Sequence, residues 1–225
     1  MLLFEELALV AVNPESGRHA LGVREPLNAS LAGLLVAELL LEGIAEPAPD
    51  RDDAVVLTDR PAPASAVLAA VARVVADRGP KIKAILSHMN RGLEKQLGTG
   101  TWSSAVAGLA DAGVLAPASG ALRPQRNLLD PAARDAVVER LRAAAGHDDP
   151  LDPRTAVLLS MTGPAWLLEV VAPERRTRRH ARQRIDHALD STDLQAVGKI
   201  VRRVIAEAET MAGAMVATTV VASGT

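Results

Sequence analysis

The sequence predicts a mainly α-helical fold: one domain over residues 1–225, built as a central helical bundle ringed by amphipathic helices, with a few short strands and one β-hairpin. Three observations predict it. Apolar residues make up 48% of the 225, yet the aromatics are only Phe4, Trp102 and Trp166. Such a core is packed from Leu, Val and Ala, which favours helices. The stretch Asn28–Ala45, NASLAGLLVAELLLEGIA, then runs apolar to Gly43 with only Glu38 and Glu42 charged. Those two are four apart and share a helix face, and a helix apolar on every other side is buried nearly all round. Finally, Pro and Gly punctuate the remainder into segments of helical period. A chain of this length suits one domain with a sizeable core.

The elements follow in order. Leu2–Val12, LLFEELALVAV, is an acidic apolar segment, and Asn13–Gly17 is a turn. Asn28 and Ser30 are N-cap residue types for the apolar helix, and Gly43 is a C-terminal stop. Residues 47–53 form a loop. Ala54–Thr58 is a short β-rich run, expected to pair with the extended piece near Ala20–Val23. Pro61 and Pro63 open a helix over Ala64–Asp77, ended by Gly79 and Pro80. Lys81–Leu97 is another, with Ile82, Ile85, Leu86, Met89 and Leu93 on one stripe and Lys81, Lys83, Arg91 and Lys95 off it. Thr101 or Ser103 caps Trp102–Ala112. A hairpin follows, with its tip at Pro117–Gly120. Asp130 and Pro131 start a helix to Ala145, and His147–Pro153 is a linker. Asp152 caps the next helix, which Gly163 and Pro164 kink or break. Pro173 opens the Arg-rich segment, and Ser191 or Thr192 caps a last helix running past Met211. The tail 218–225 is expected to fray.

Composition narrows the function. There is no Cys, so disulfides and thiolate metal sites are excluded. No apolar run reaches the roughly 18–20 uncharged residues that span a bilayer, and the start, MLLFEE, has no basic n-region of a signal peptide. The expectation is a cytoplasmic protein, or one peripheral on the inner face of a membrane. Four Lys against 21 Arg looks like a GC-rich bacterial genome. Catalytic fingerprints are missing: the chain has no GxGxxG, Walker loop, HExxH or GxSxG. The five His are scattered, and no carboxylates accompany His180 and His187 at metal-ligand spacing. The chain therefore reads as a non-enzyme, without cofactor or metal.

The net charge of −2 hides an uneven spread. Residues 1–60 carry 11 acids and 4 bases, residues 73–95 carry 6 bases and 2 acids, and residues 170–205 carry 9 bases and 4 acids. The densest run is ERRTRRHARQR, Glu174–Arg184, with six Arg. As a helix it lines Arg175, Arg178, Arg179 and Arg182 along one face. The guanidinium fork suits phosphate, so this face either meets an anionic lipid surface or is a solvated face balancing the acidic N-terminal third. Lys81 and Lys83 extend the basic surface. The unit Trp102–Pro124 has the helix, Gly and hairpin order of a winged-helix DNA-binding domain. Its helix, WSSAVAGLADA, carries no base, which argues against duplex readout. No nucleic-acid partner is expected. On the hairpin, Leu115 and Leu122 are the candidates for a membrane or oligomer contact, with folding back on the core the equal alternative for Leu122.

The order LLFEEL, turn, then LAGLLVAELLLEG resembles the Golgi phosphoprotein 3 family. In that family the corresponding order reads approximately LTLxEExLLL, then LRGxxLxELxLxG. Gly113–Leu115 before the hairpin, and RTAVLLSMTGPAWLLEVVAP over Arg154–Pro173, are similar to further family stretches. The resemblance implies a mostly helical, non-catalytic peripheral membrane protein. Its eukaryotic members bind phosphatidylinositol 4-phosphate and link glycosyltransferases to vesicle coats. The implied head-group pocket uses a Trp, the Arg of LRG, and two Arg on the helix before the hairpin. These positions fall near Val23, at Ala32, and near Thr99 and Trp102, and none keeps the family residue. Arg24, Arg91, Trp102 and Arg123 are the nearest candidates for head-group contact. The expected partners are an anionic phospholipid or phosphoinositide, protein partners, and a second copy through the hairpin. The alternative is a soluble protein–protein adaptor without lipid affinity; a winged-helix-like DNA binder comes third.

Overall fold

The computed structural model describes residues 1–13, 24–116, 127–191 and 194–222, with side chains described except at 24–25, 195–196 and from 211 onward. Among the described residues there are ten helices and one two-stranded sheet. Two helices form the centre. Helix α1 (Leu3–Ala11) has every residue but Glu5 buried. Helix α2 (Arg24–Leu41) buries Leu27, Leu31, Leu34, Leu35, Leu39 and the small residues between them. A helix apolar on all sides can lie only inside a bundle. Around this pair stand α3 (Ala66–Arg78), α4 (Ile82–Leu97), α5 (Thr101–Asp111), α6 (Pro131–Gly146), α7 (Pro153–Thr162), α8 (Leu168–Val171), α9 (Arg175–Leu189) and α10 (Gln195–Ala222). Helix α1 packs on α2, α5, α6 and α7, and α10 lies along α2. The mainly α architecture expected from the sequence is the one observed.

The close approach of α2 and α10 depends on Gly33, where a Cβ would lie 2.3 Å from Val204 Cγ1. The entry of α1 into the core is fixed by carboxylates. Glu5 accepts from the Leu2 amide at 2.8 Å and Glu38 from the Leu3 amide at 2.9 Å. Glu38, with a side chain only 1% exposed, also binds Arg154 at 2.6 Å, and Arg154 donates to the Met1 carbonyl. Arg140 pairs with Glu6, and Arg134 donates to the Val12 carbonyl at 3.1 Å. Thus α1, a buried helix with exposed amides at its start, has its polar groups answered from α2, α6 and α7.

Several local expectations need correction. Helix α2 starts at Arg24, so Asn28 and Ser30 are internal; buried Ser30 Oγ donates to the Pro26 carbonyl instead. Strand β2 (Val55–Leu57) pairs antiparallel with β1 (Ala45–Pro47), a neighbour across a short loop. The expected partner, Ala20–Val23, lies outside the described residues. Helix α5 is capped by neither Thr101 nor Ser103. Its N-cap is Gly100, and Asn90 Oδ1 of α4 takes the Thr101 amide at 3.0 Å. Ser191 closes α9 by donating to Ala188 rather than capping α10, and Thr192 is outside the described residues. Helix α10 continues to Ala222, so residues 218–222 are helical. The caps at Asp130 and Asp152 and the buried stripe of α4 are as expected.

The base of the hairpin is present. Leu115 bridges antiparallel to Leu128, and the Ala116 amide donates to Asn127 at 2.8 Å. The tip, Pro117–Gly120, lies outside the described residues.

Candidate functional site

The basic face of α9 forms the most developed surface for a charged ligand. The helix is strongly amphipathic: Ala181, Ala188 and Leu189 are buried against α6, α7 and α10. Specific Arg and His contacts fasten it at both ends. Arg178 donates to the carbonyls of Ala172 (3.1 Å) and Pro173 (2.5 Å) and lies 3.7 Å from Glu169, so it closes the end of α8. Arg184 donates to Ala144 at 2.7 Å and to the Asp149 carbonyl, and His180 stands 3.3 Å from Asp148; together they strap the 147–153 linker down. From α10, Arg202 pairs with Asp186 at 2.9 Å and Asp190 at 3.0 Å. Burial opposes the charge of Arg202, but these two carboxylates outweigh it and raise its pKa.

What remains is the outer edge. An open groove of about 440 Å³ is lined by Arg175, Arg178, Arg179, Arg182, Gln183 and Asp186. Arg175, Arg179 and Arg182 are exposed and make no ion pair among the described residues. The single carboxylate in the groove, Asp186, is already held by Arg202. The groove therefore presents three uncommitted guanidinium forks and the NH2 of a side-chain amide, a donor-rich surface matched to phosphate oxygens. Sequence reading found the four Arg by their spacing but gave Arg178 the same role as the others, whereas its donors are largely spent on the backbone. Gln183 and Asp186 were missed, although each lies four residues beyond a groove Arg on the same face.

A second basic surface runs along α4. Lys83, Ser87, Arg91 and Lys95 recur every four residues, and all are exposed. Lys81 is the N-cap of α4 and is also exposed. Helices α4 and α9 each pack on α10 and are not principal neighbours of one another.

The residues expected at a head-group pocket are only partly brought together. Asn90 bonds to Thr101, so their chain neighbours Arg91 and Trp102 flank the α4–α5 junction. Arg91 is exposed and Trp102 half-buried. Beside them, Thr101 Oγ1 is buried without a hydrogen-bond partner among the described residues. Ala32, at the position of the family Arg, is in the core. Arg24 begins α2, but its side chain is outside the described set, and Arg123 and Leu122 are outside the described residues. Leu115, expected as an exposed contact, is 1% exposed: it packs in the core as the hairpin leaves α5, and its amide bonds back to Leu109. The exposed apolar residue at the hairpin base is Leu129.

Among the described residues no group of His, Asp and Glu could hold a metal ion, and no helix is long and apolar enough to cross a membrane. Comparison with the curated proteins finds no match. The family model of Golgi phosphoprotein 3 (GPP34), in contrast, matches residues 3–208. That match spans the central pair, the hairpin and the α9 surface, and the chain belongs to the Golgi phosphoprotein 3 family.

Proposed function

We infer that this protein is a non-catalytic, peripheral membrane protein that acts from the cytoplasm and binds anionic phospholipid head groups through the α9 groove. The observation that carries this reading is the set of three uncommitted arginines, Arg175, Arg179 and Arg182, that line one groove, on a helix fastened by Arg178, His180, Arg184 and Asp186. A solvated face that merely balanced acidic neighbours would have its forks paired. Each base near an anionic leaflet contributes about 1 kcal/mol. Three bases therefore supply about 3 kcal/mol, or roughly a hundredfold in partition. The α4 row of Lys83, Arg91 and Lys95 adds a weaker, longer-range attraction that salt screens.

The test is co-sedimentation with vesicles of phosphatidylcholine containing phosphatidylglycerol. The triple variant Arg175→Ala, Arg179→Ala, Arg182→Ala should partition roughly a hundredfold more weakly than the unmodified protein. Equal pelleting of the two would remove α9 from the account, and no pelleting of either would leave the protein–protein adaptor reading in its place.

A further inference from the structure

Among the described residues, three helix ends close by the same pair of hydrogen bonds. After α2, the Ile44 amide donates to Leu39 (2.8 Å) and Gly43 to Leu40 (3.0 Å). After α5, Val114 donates to Leu109 (2.9 Å) and Gly113 to Ala110 (2.9 Å). After α7, whose turn continues to Ala165, Leu167 donates to Thr162 (2.7 Å) and Trp166 to Gly163 (2.9 Å). This six-residue closure puts one residue in the left-handed region, where Gly is the ordinary occupant. Gly43 (φ 67°) and Gly113 (φ 73°) obey the rule, and Trp166 (φ 61°) breaks it. A bulky side chain there strains the backbone, and such strain persists where it serves a site.

Trp166 is not a core side chain. Trp166 is 43% exposed, while its neighbours Ala165, Leu167 and Leu168 are buried and supply the apolar contacts of the turn. The chain thus holds one of its two tryptophans outward on a strained turn. Its position is informative. It lies three positions before Glu169, a span of at most about 11 Å, and Glu169 lies 3.7 Å from Arg178 in the arginine groove. An exposed indole beside guanidinium forks suits the boundary of an anionic bilayer, where Trp sits at head-group level and Arg meets phosphate.

We propose that Trp166 is an interfacial membrane anchor, seated beside the α9 groove so that aromatic insertion and charge attraction act on the same bilayer surface. This rests on the membrane reading of α9 and deepens it. Replacing Trp166 by Gly relieves the left-handed strain and removes the anchor together.

The experiment compares the unmodified protein with Trp166→Gly in thermal unfolding and in partition onto phosphatidylcholine–phosphatidylglycerol vesicles. The difference in emission between the two proteins reports Trp166 itself. The expected result is that Trp166→Gly still unfolds cooperatively yet partitions at least about tenfold more weakly, and that the Trp166 emission shifts to the blue when vesicles are added. Unchanged partition by Trp166→Gly would overturn the anchor while leaving the arginine groove intact. Absence of binding by both proteins would overturn the anchor and the membrane reading together. Self-association lost in Trp166→Gly, without vesicle binding, would assign the surface to a second copy of the chain.

Discussion

Replacing Arg154 with Met tests the idea that α1 is anchored in the core by a buried carboxylate rather than by apolar contact alone. Glu38 is 1% exposed, accepts from the Leu3 amide at 2.9 Å, and has Arg154 at 2.6 Å as its countercharge. Removing one partner of a fully buried pair costs about 3–5 kcal/mol, because the remaining charge is uncompensated. Arg154 is 44% exposed, so water screens part of the attraction, and the cost reduces to about 2–3 kcal/mol. Glu38→Gln keeps an acceptor for Leu3 and should cost only about 1 kcal/mol. In the double variant no buried charge is left alone, so it should be less destabilised than the sum of the two singles by about 1 kcal/mol or more. Urea unfolding followed by helical circular dichroism measures these differences as midpoint shifts at constant slope. For a chain of this size Arg154→Met should lower the melting temperature by roughly 4–12 °C. A change within about 0.5 kcal/mol, the range of an ordinary surface substitution, would refute the reasoning. So would strict additivity in the double variant.

Two further outcomes follow from the same structure. Gly33→Ala gains about 1 kcal/mol of helix propensity but drives a methyl to 2.3 Å from Val204 Cγ1. Val204 is β-branched and stiff in a helix, so overpacking of about 1–3 kcal/mol outweighs the gain; adding Val204→Ala should recover stability in the same unfolding assay. Burial raises the pKa of Glu5, against the lowering effect of its Leu2 hydrogen bond. The native state therefore keeps that proton to higher pH than the unfolded chain does. Ionising Glu5 then erodes stability as pH rises from the ordinary glutamate range through the raised value. Glu5→Gln should gain stability relative to the unmodified protein over that window, as measured by unfolding at a series of pH values, and an advantage that shrank with rising pH would contradict the assignment.

How far the sequence was legible depended on whether a signal was local. The stripe of Ile82, Ile85, Leu86, Met89 and Leu93, the Asp130 and Asp152 caps, and the uniformly apolar α2 are all patterns within one element, and the structure reproduces them. Spacing placed four arginines on one face of α9 because helix period alone decides that. The misses came from interactions between elements. Asn28 and Ser30 look like caps, but tertiary packing lets α2 begin a full turn earlier. Asn90 caps α5 from another helix, which no reading of α5 could reveal. The division of the arginines into fasteners and free forks depends on carbonyls at Ala144, Asp149, Ala172 and Pro173, which the fold brings into reach. Leu115 read as an apolar contact because its burial depends on how the hairpin leaves α5. The strain at Trp166 is a backbone property that no residue pattern around it announces.

Partition of the unmodified protein among three vesicle types tests the central claim most directly: phosphatidylcholine alone, with phosphatidylglycerol, and with phosphatidylinositol 4-phosphate. Binding through the three uncommitted arginines of the α9 groove predicts pelleting with both anionic mixtures, none with phosphatidylcholine, and weakening as salt rises. Pelleting with none of the three, or equally with neutral and anionic vesicles, would contradict it.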